Sequence, residues 1–414
     1  MLTNYSFDKK IIILSKDEHG LGDIMCGFKM AKYFNYQLNF SKESFILVIE
    51  SNKDKLFIES LNKHNFNFFI NDDPTILRKY LKEVNPRFIL MIPTNSTCID
   101  DINVPILKIN EYGRSYDHRQ YSLGLCKHDL GIFINHDLRI SSQHSIKQLQ
   151  FVSQKLQIAI LDQVYSDVII SSFINHSKLF FGYGSMCNIR LQFVEAIIEL
   201  EYKLSSTDKN LVFLLMGSTL FDEGTRQLLE ANPNIDIIEL IPILKGLNIE
   251  LELIGLDKDK YYRSRLTSTK KVRIIWSRLS SDEVKYLLMA SEKEVLATGD
   301  QSLSEVISAG KHFIYETLSH KQDTLLHLKK LMGKINVNLK MLYEKSYQNK
   351  YGNTLEPSEL AKLFYHSRNK EISDYWEKLI DEICNNRVIG TNFNELLVNY
   401  LSGYKVNFTI EKLF

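Results

Sequence analysis

The 414-residue chain is longer than one hydrophobic core usually supports, so two domains are expected. A hydrophobic fraction of 44%, a charged fraction of 24% and a net charge of +1 describe a globular protein and give a nucleic-acid partner no electrostatic support. Five dispersed cysteines without C-x-x-C spacing suggest neither a zinc site nor a disulfide framework, and no signal peptide or run of about 18 apolar residues suggests export or a membrane span, so a cytoplasmic protein, or one translocated into a host cell, is expected.

The apolar run Ile11–Leu14 reads as a buried strand, followed by a loop with Gly20 and Gly22 and a helix over Ile24–Phe34 capped by Asp23. Phe45–Glu50, Asn67–Ile70 and Phe88–Ile92 read as further strands, with helices from Ser51 and over Ile76–Val84 between them. Ile106–Ile109 and Gly131–Asn135 are the expected late strands, and Ile146–Phe173 reads as mostly helical. Strand and helix alternate, which predicts βαβ units and a parallel sheet.

The pattern then restarts. Lys178–Tyr183 reads as a strand, Gly182 and Gly184 mark a tight loop, and Ile189–Tyr202 reads as a helix. Leu211–Met216, Ile237–Leu240, Ile249–Ile254, Val272–Trp276, Glu294–Ala297 and Phe313–Tyr315 read as strands, with helices over Ser281–Ala290 and Ser302–Ala309. The remainder reads as mostly helical. The predicted class is α/β. Residues 1–176 form one Rossmann-like domain, 177–375 a second, and 376–414 are helices packing near the hinge.

Two segments carry chemistry. His19-Gly20-Leu21-Gly22-Asp23 lies between the first strand and the first helix, where ligands of open α/β sheets bind. It is not the full dinucleotide fingerprint, because Met25 stands at the third glycine position. His19 has the near-neutral titration a general base needs, and Asp23 would orient it or act as base itself. As plain structure, His19 is a loop residue and Asp23 a helix cap.

The second segment runs Gly299-Asp300-Gln301-Ser302-Leu303-Ser304-Glu305, then Ala309-Gly310, then His320-Lys321-Gln322-Asp323. It reads strand, glycine turn, helix, glycine, strand, polar loop. Helix-start amides near Gln301 and Ser302 suit a diphosphate, Glu305 suits two ribose hydroxyls, and the 320–323 loop suits sugar hydroxyls. The bland alternative is an ordinary capped helix with an acid in its first turns. The Asp257-Lys258-Asp259-Lys260 stretch has the letters of a metal-binding D-x-D but reads as a charged turn.

The segment from Gly299 to Gln322 resembles the donor-site signature of GT-B glycosyltransferases. In MurG-like N-acetylglucosaminyltransferases a Ser-Glu pair precedes Ala-Ala-Gly and His-Lys, which appear here as Ser304-Glu305, Ser308-Ala309-Gly310 and His320-Lys321. The chain is also similar to protein-arginine rhamnosyltransferases in Leu21-Gly22-Asp23-Ile24, Phe181-Gly182-Tyr183 and Ala309-Gly310-Lys311, although their aspartate at the His19 position is missing. These resemblances imply a GT-B fold, two Rossmann-like domains facing across a cleft, and transfer from a nucleoside-diphosphate sugar without a metal or other cofactor. They imply that Phe181 and Tyr183 flank the base, that Arg278 contacts it, and that Asn188 and Arg190 reach the diphosphate. The acceptor implied is a protein side chain, otherwise a glycan or lipid. A nucleotide-sugar hydrolase, an epimerase and a non-catalytic nucleotide-binding protein are the rival expectations.

Overall fold

The structure is a computed structural model. It describes residues 9–401 except 18–20, 63, 94–95, 100, 111–120, 126–128, 136–137, 140–144, 218, 233–235, 259, 319–320 and 350. The chain forms two compact units, residues 1–133 with 387–414 and residues 134–386. The sequence pattern suggested divisions near 176 and 375. Residues 134–176 instead group with the second unit, and residues from 387 onward group with the first.

The first unit is a parallel six-stranded sheet in the order β3-β2-β1-β4-β5-β6. Its strands are β1 (Ile11–Lys16), β2 (Phe45–Glu50), β3 (Phe68–Asn71), β4 (Phe88–Met91), β5 (Ile106–Asn110) and β6 (Tyr121–Ser122). β1 is central, with Ile13 opposite Leu47 of β2 and Leu90 of β4. The apolar residues of β1, β2 and β4 are buried, as expected for strands covered on both faces. Helices α1 (Leu21–Lys32), α2 (Lys55–Leu61) and α3 (Pro74–Val84) connect them. α3 starts where Asp73 accepts from the Thr75 amide and Pro74 stands in the first turn. α1 begins three residues before the expected start, so Asp23 lies inside its first turn rather than at its cap. α2 is capped by Asp54, not begun at Ser51.

The second unit has seven strands in the order β10-β9-β11-β8-β7-β12-β13. They are β7 (Ser177–Tyr183), β8 (Asn210–Met216), β9 (Glu250–Gly255), β10 (Lys260–Arg263), β11 (Lys271–Ser277), β12 (Glu294–Thr298) and β13 (His312–Glu316). All pairings are parallel except β10 with β9. The described α-helices are α4 (Gln154–Leu161), α5 (Asp167–His176), α6 (Cys187–Ile198), α7 (Glu223–Ala231), α8 (Ser281–Ala290), α9 (Gly299–Ser308), α10 (Gln322–Ile335), α11 (Val337–Lys345), α12 (Pro357–Ser367) and α13 (Lys370–Asn386). Trp376 of α13 is fully buried, stacked on His312 at 5.4 Å and bonded through Nε1 to Ser367 Oγ at 2.8 Å.

The last described helix, α14 (Thr391–Leu401), belongs to the first unit. Phe393 is fully buried against Tyr33 and Phe34, and the Tyr33 hydroxyl donates to Asn394 Oδ1 at 2.8 Å.

Two expected strands are absent. Ile237–Leu240 is a 3-10 helix because Asp236 caps it at the Ile238 amide and Pro242 opens another 3-10 turn directly after. The stretch Gly131–Asn135 makes only one described bridge, Ile132 to Val388. Gly131 has φ +100°, and the Val388 backbone lies where its Cβ would be, so the chain kinks there to admit the returning segment.

Candidate active site

Each sheet reverses its strand order beside its first strand. β1 lies between β2 and β4, and β7 lies between β8 and β12. In open α/β sheets the crevice at the carboxyl ends of such strands is where ligands bind.

In the second unit, β7 ends at Tyr183 and β12 ends at Thr298, where α9 begins. Gly299 has φ +71° and no atom within 4 Å of a built Cβ, so the turn into α9 uses a conformation that glycine adopts without strain. No side chain caps α9. The Thr298 hydroxyl is buried without a hydrogen-bond partner. Ser302 Oγ accepts from the Thr298 amide at 2.9 Å and also donates to the Thr298 carbonyl, so it braces the turn. Ser304 is buried and donates to the Asp300 carbonyl at 2.9 Å.

Glu305 lies one turn further along α9. Its Oε2 accepts from the Tyr183 hydroxyl at 2.5 Å and its Oε1 from Gln301 Nε2 at 3.0 Å. Burial, and then the Glu305 carboxylate, push the Tyr183 phenol well above its ordinary range, so Tyr183 is the donor. Each carboxylate oxygen keeps acceptor capacity beyond these bonds. Asp300 pairs with Lys321 Nζ at 2.6 Å, which places a cation beside the first turn of α9.

Glu316, at the carboxyl end of β13, is fully buried. It accepts from the Ser185 amide at 2.6 Å, the Ser185 hydroxyl at 2.8 Å and the Met186 amide at 3.0 Å. The start of α6 therefore already holds an anion, the chain's own carboxylate. Arg190 of α6 is 3% exposed, and its Nη1 donates to the Met216 carbonyl at 3.3 Å.

The structure brings Tyr183, Gln301 and Glu305 together by hydrogen bonds and puts Asp300, Ser302 and Ser304 on the same helix. Phe181 is in the core of β7, and its ring meets that of Tyr183 edge-on at 5.0 Å. Arg278 follows β11, its amide bound by the Asp257 carboxylate at 3.1 and 3.2 Å. Gln322 and Asp323 open α10, and His320 lies outside the described residues.

In the first unit, His19 and Gly20 lie outside the described residues, Gly22 is in the first turn of α1, and Asp23 is 4% exposed. Ser15 Oγ donates to the Asp23 carbonyl at 2.7 Å. Two further acids line this carboxyl edge. Glu50 Oε1 pairs with Lys16 at 3.5 Å and its Oε2 accepts from Ser96 Oγ. Asp17 accepts from Ser51 Oγ at 3.0 Å and pairs with Lys53 at 2.8 Å. Asp17, Glu50 and Glu316 are not among the candidate residues that the sequence pattern points to. The available signal was an acid at or just past the end of an otherwise apolar strand, where a charge needs a partner.

No protein-family model matches the sequence, and no curated protein matches it. Solved structures do match in fold. Anabaena HepE, crystallised with UDP and glucose, superposes with TM-score 0.50 at 11% identity, covering 95% of this chain and 100% of that one. The chain has the GT-B fold. A Listeria monocytogenes protein assigned as a UDP-N-acetylglucosamine 2-epimerase shares the GT-B arrangement of elements with TM-score 0.50 at 12% identity, over 95% of this chain and 96% of that one. A structure described for EarP-mediated arginine glycosylation of elongation factor EF-P matches at TM-score 0.47 and 10% identity, over 94% and 99% of the two chains. At these identities the HepE and Listeria likenesses speak for the GT-B fold alone.

Proposed function

We propose that the protein is a glycosyltransferase that moves a sugar from a nucleoside-diphosphate sugar to an acceptor. The observation that carries this reading is Glu305, held by Tyr183 and Gln301 beside the glycine turn at the switch point of the second sheet. In this reading the remaining lone pairs of Glu305 take ribose hydroxyls. The α9 amides and Lys321 meet the diphosphate. The positive end of the helix and the lysine neutralise the leaving group, so the reaction needs no metal.

The acceptor nucleophile attacks the anomeric carbon as the bond to the diphosphate breaks, and a carboxylate or imidazole of the first unit takes its proton. His19 and Asp23 are the residues proposed for this step. The acceptor proposed is a protein side chain, supported by the resemblance of the Leu21–Ile24 and Phe181–Tyr183 segments to protein-arginine rhamnosyltransferases. A second reading, epimerisation of a nucleotide-sugar, is supported by the Listeria likeness, whose TM-score equals that of HepE.

The test is a thermal-shift screen against UDP-, GDP-, dTDP- and CMP-sugars, followed by product analysis with the donor that binds. A donor at about a hundred times its dissociation constant adds roughly 2.7 kcal/mol of stability. Glu305→Gln is expected to abolish that shift without lowering the unliganded melting temperature by more than a few degrees. Nucleotide release that depends on acceptor identifies a transferase. A new sugar epimer without acceptor identifies the second reading. No shift with any of the four donor classes refutes both.

A further inference from the structure

The second unit holds a cavity of about 250 Å³ at the amino edge of its sheet. Its walls come from the first residues of β7, β8 and β11 and from α4 and α5. α4 ends at Asp162, which takes φ +64°, and α5 starts behind the Ser166 cap and runs directly into β7 at Ser177. The candidate donor site is at the opposite edge, where β7 and β12 end. β7 spans seven residues, about 20 Å of extended chain, so the two sites are separate.

Charge at the cavity is already matched. Arg273, 7% exposed, pairs through Nη2 with Asp162 and Glu252, both at 2.6 Å, and its Nη1 donates to the Ala159 carbonyl at 3.2 Å. Lys271 Nζ lies 3.5 Å from Glu250 Oε1. An anionic ligand would have to displace a carboxylate, and a cationic one a basic side chain. A neutral ligand displaces neither.

Uncharged hydrogen-bonding capacity does remain. Asn210 Oδ1 accepts from the Lys271 amide at 2.9 Å, which leaves Nδ2 with two hydrogens to give. His176 Nδ1 meets the Ser172 carbonyl at 2.8 Å, so in the neutral ring Nδ1 is the donor and Nε2 is left as an acceptor. The side chains of Gln163 and Ser177, which also line the cavity, have no hydrogen-bond partner among the described residues. The rest of the wall includes Ile160, Ile169, Phe173 and Val212. Donors and acceptors are thus mixed beside apolar surface. Hydroxyls both give and take hydrogen bonds, and a sugar ring carries several of them on its rim and C–H groups on its faces. The volume falls below the roughly 300–1,000 Å³ of sites for drug-sized ligands, which suits a single ring.

We propose that this cavity is a binding site for one neutral sugar ring, either a free monosaccharide or the end residue of a glycan. The site shares no residue with the donor reading and is tested apart from it.

The full-length protein is titrated with glucose, galactose, mannose and N-acetylglucosamine and with their methyl glycosides, and binding is followed by saturation-transfer difference NMR. At least one sugar is expected to bind with a millimolar dissociation constant. Equal binding of the methyl glycoside supports a glycan end as the source, and binding of the free sugar alone supports a monosaccharide. Ser172→Trp, at an exposed position on the cavity wall, should weaken binding roughly tenfold at an unchanged melting temperature. Should that variant fold poorly, Asn210→Asp decides, because it keeps the acceptor for the Lys271 amide and removes the two hydrogens. Glu305→Gln, which removes the donor-site carboxylate, should leave this binding as it is. No signal with any of the four sugars overturns the proposal, as does a signal that survives the cavity variants or is lost with Glu305→Gln. Tighter binding of glucuronate than of glucose overturns it as well.

Discussion

The lysine of the Ala309-Gly310-Lys311 turn resembles a donor-segment residue in sequence, yet its side chain is fully buried, with Nζ donating to the carbonyls of Ser291 (2.7 Å) and Glu292 (3.0 Å). It ties the turn before β13 to the turn before β12. A neutral amine has two hydrogens, and both are used. Burial pulls the lysine down to about 7. The unfolded chain, with an ordinary lysine, therefore binds more protons between pH 7 and about 10, and stability rises with pH across that window. The neighbouring His312 acts in the same sense at lower pH. Burial pulls it down to about 3, so stability is lost as pH falls from 6.5 towards 3. Urea unfolding at pH 7 and pH 9 should show a gain of about 2 kcal/mol for the wild type, the part assignable to Lys311. Lys311→Met should lose that gain, and an unchanged pH slope in the variant would show that Lys311 is charged in the fold.

At the scale of elements, α6 is held by a residue from a distant strand. Glu316 satisfies the amides of Ser185 and Met186 together with the Ser185 hydroxyl. Glu316→Gln keeps the shape but removes the charge and one acceptor. It should cost about 1–3 kcal/mol in urea unfolding, and a loss under a few tenths would mean the helix end is satisfied otherwise. Such a partnership was illegible in the sequence because 131 positions separate Ser185 from Glu316. The strands themselves were legible where apolar residues run on without a break, as in Ile11–Leu14 and Phe45–Ile49. So was α8, whose Ser280 and Glu283 form a reciprocal capping box. Ile237–Leu240 misled because three apolar residues around Glu239 fit a strand as well as a short helix, and the Asp236 cap decided it. β10 was missed because Lys260-Tyr261-Tyr262-Arg263 is an edge strand with charged ends, which reads as surface. In the candidate site, the Gly299–Glu305 segment was legible through its glycine turn. The bond from Tyr183 to Glu305 was not, since only the pairing of β7 with β12 brings them together.

At the scale of the whole molecule, chain order and compact units do not coincide. The second unit is one continuous stretch, 134–386, whereas the first is built from two pieces. The returning piece is structural. Ile132 donates to the Arg387 carbonyl at 2.8 Å and accepts from the Ile389 amide at 3.0 Å, and Phe393, Leu396 and Leu397 of α14 are buried. Each such side chain contributes about 1.5–3 kcal/mol by burial, so together they rival the net stability of a domain, about 5–15 kcal/mol. Residues 134–386 expressed alone should therefore unfold in one cooperative transition and, if the donor reading holds, keep the nucleotide-dependent thermal shift. The chain ending at Asn386 should keep that transition but lose the first unit. Limited proteolysis would then cut throughout 9–133 while 134–386 resists. Protection of 9–133 equal to that in the intact chain would mean that α14 only lies on the first unit, and that its core is complete without Phe393.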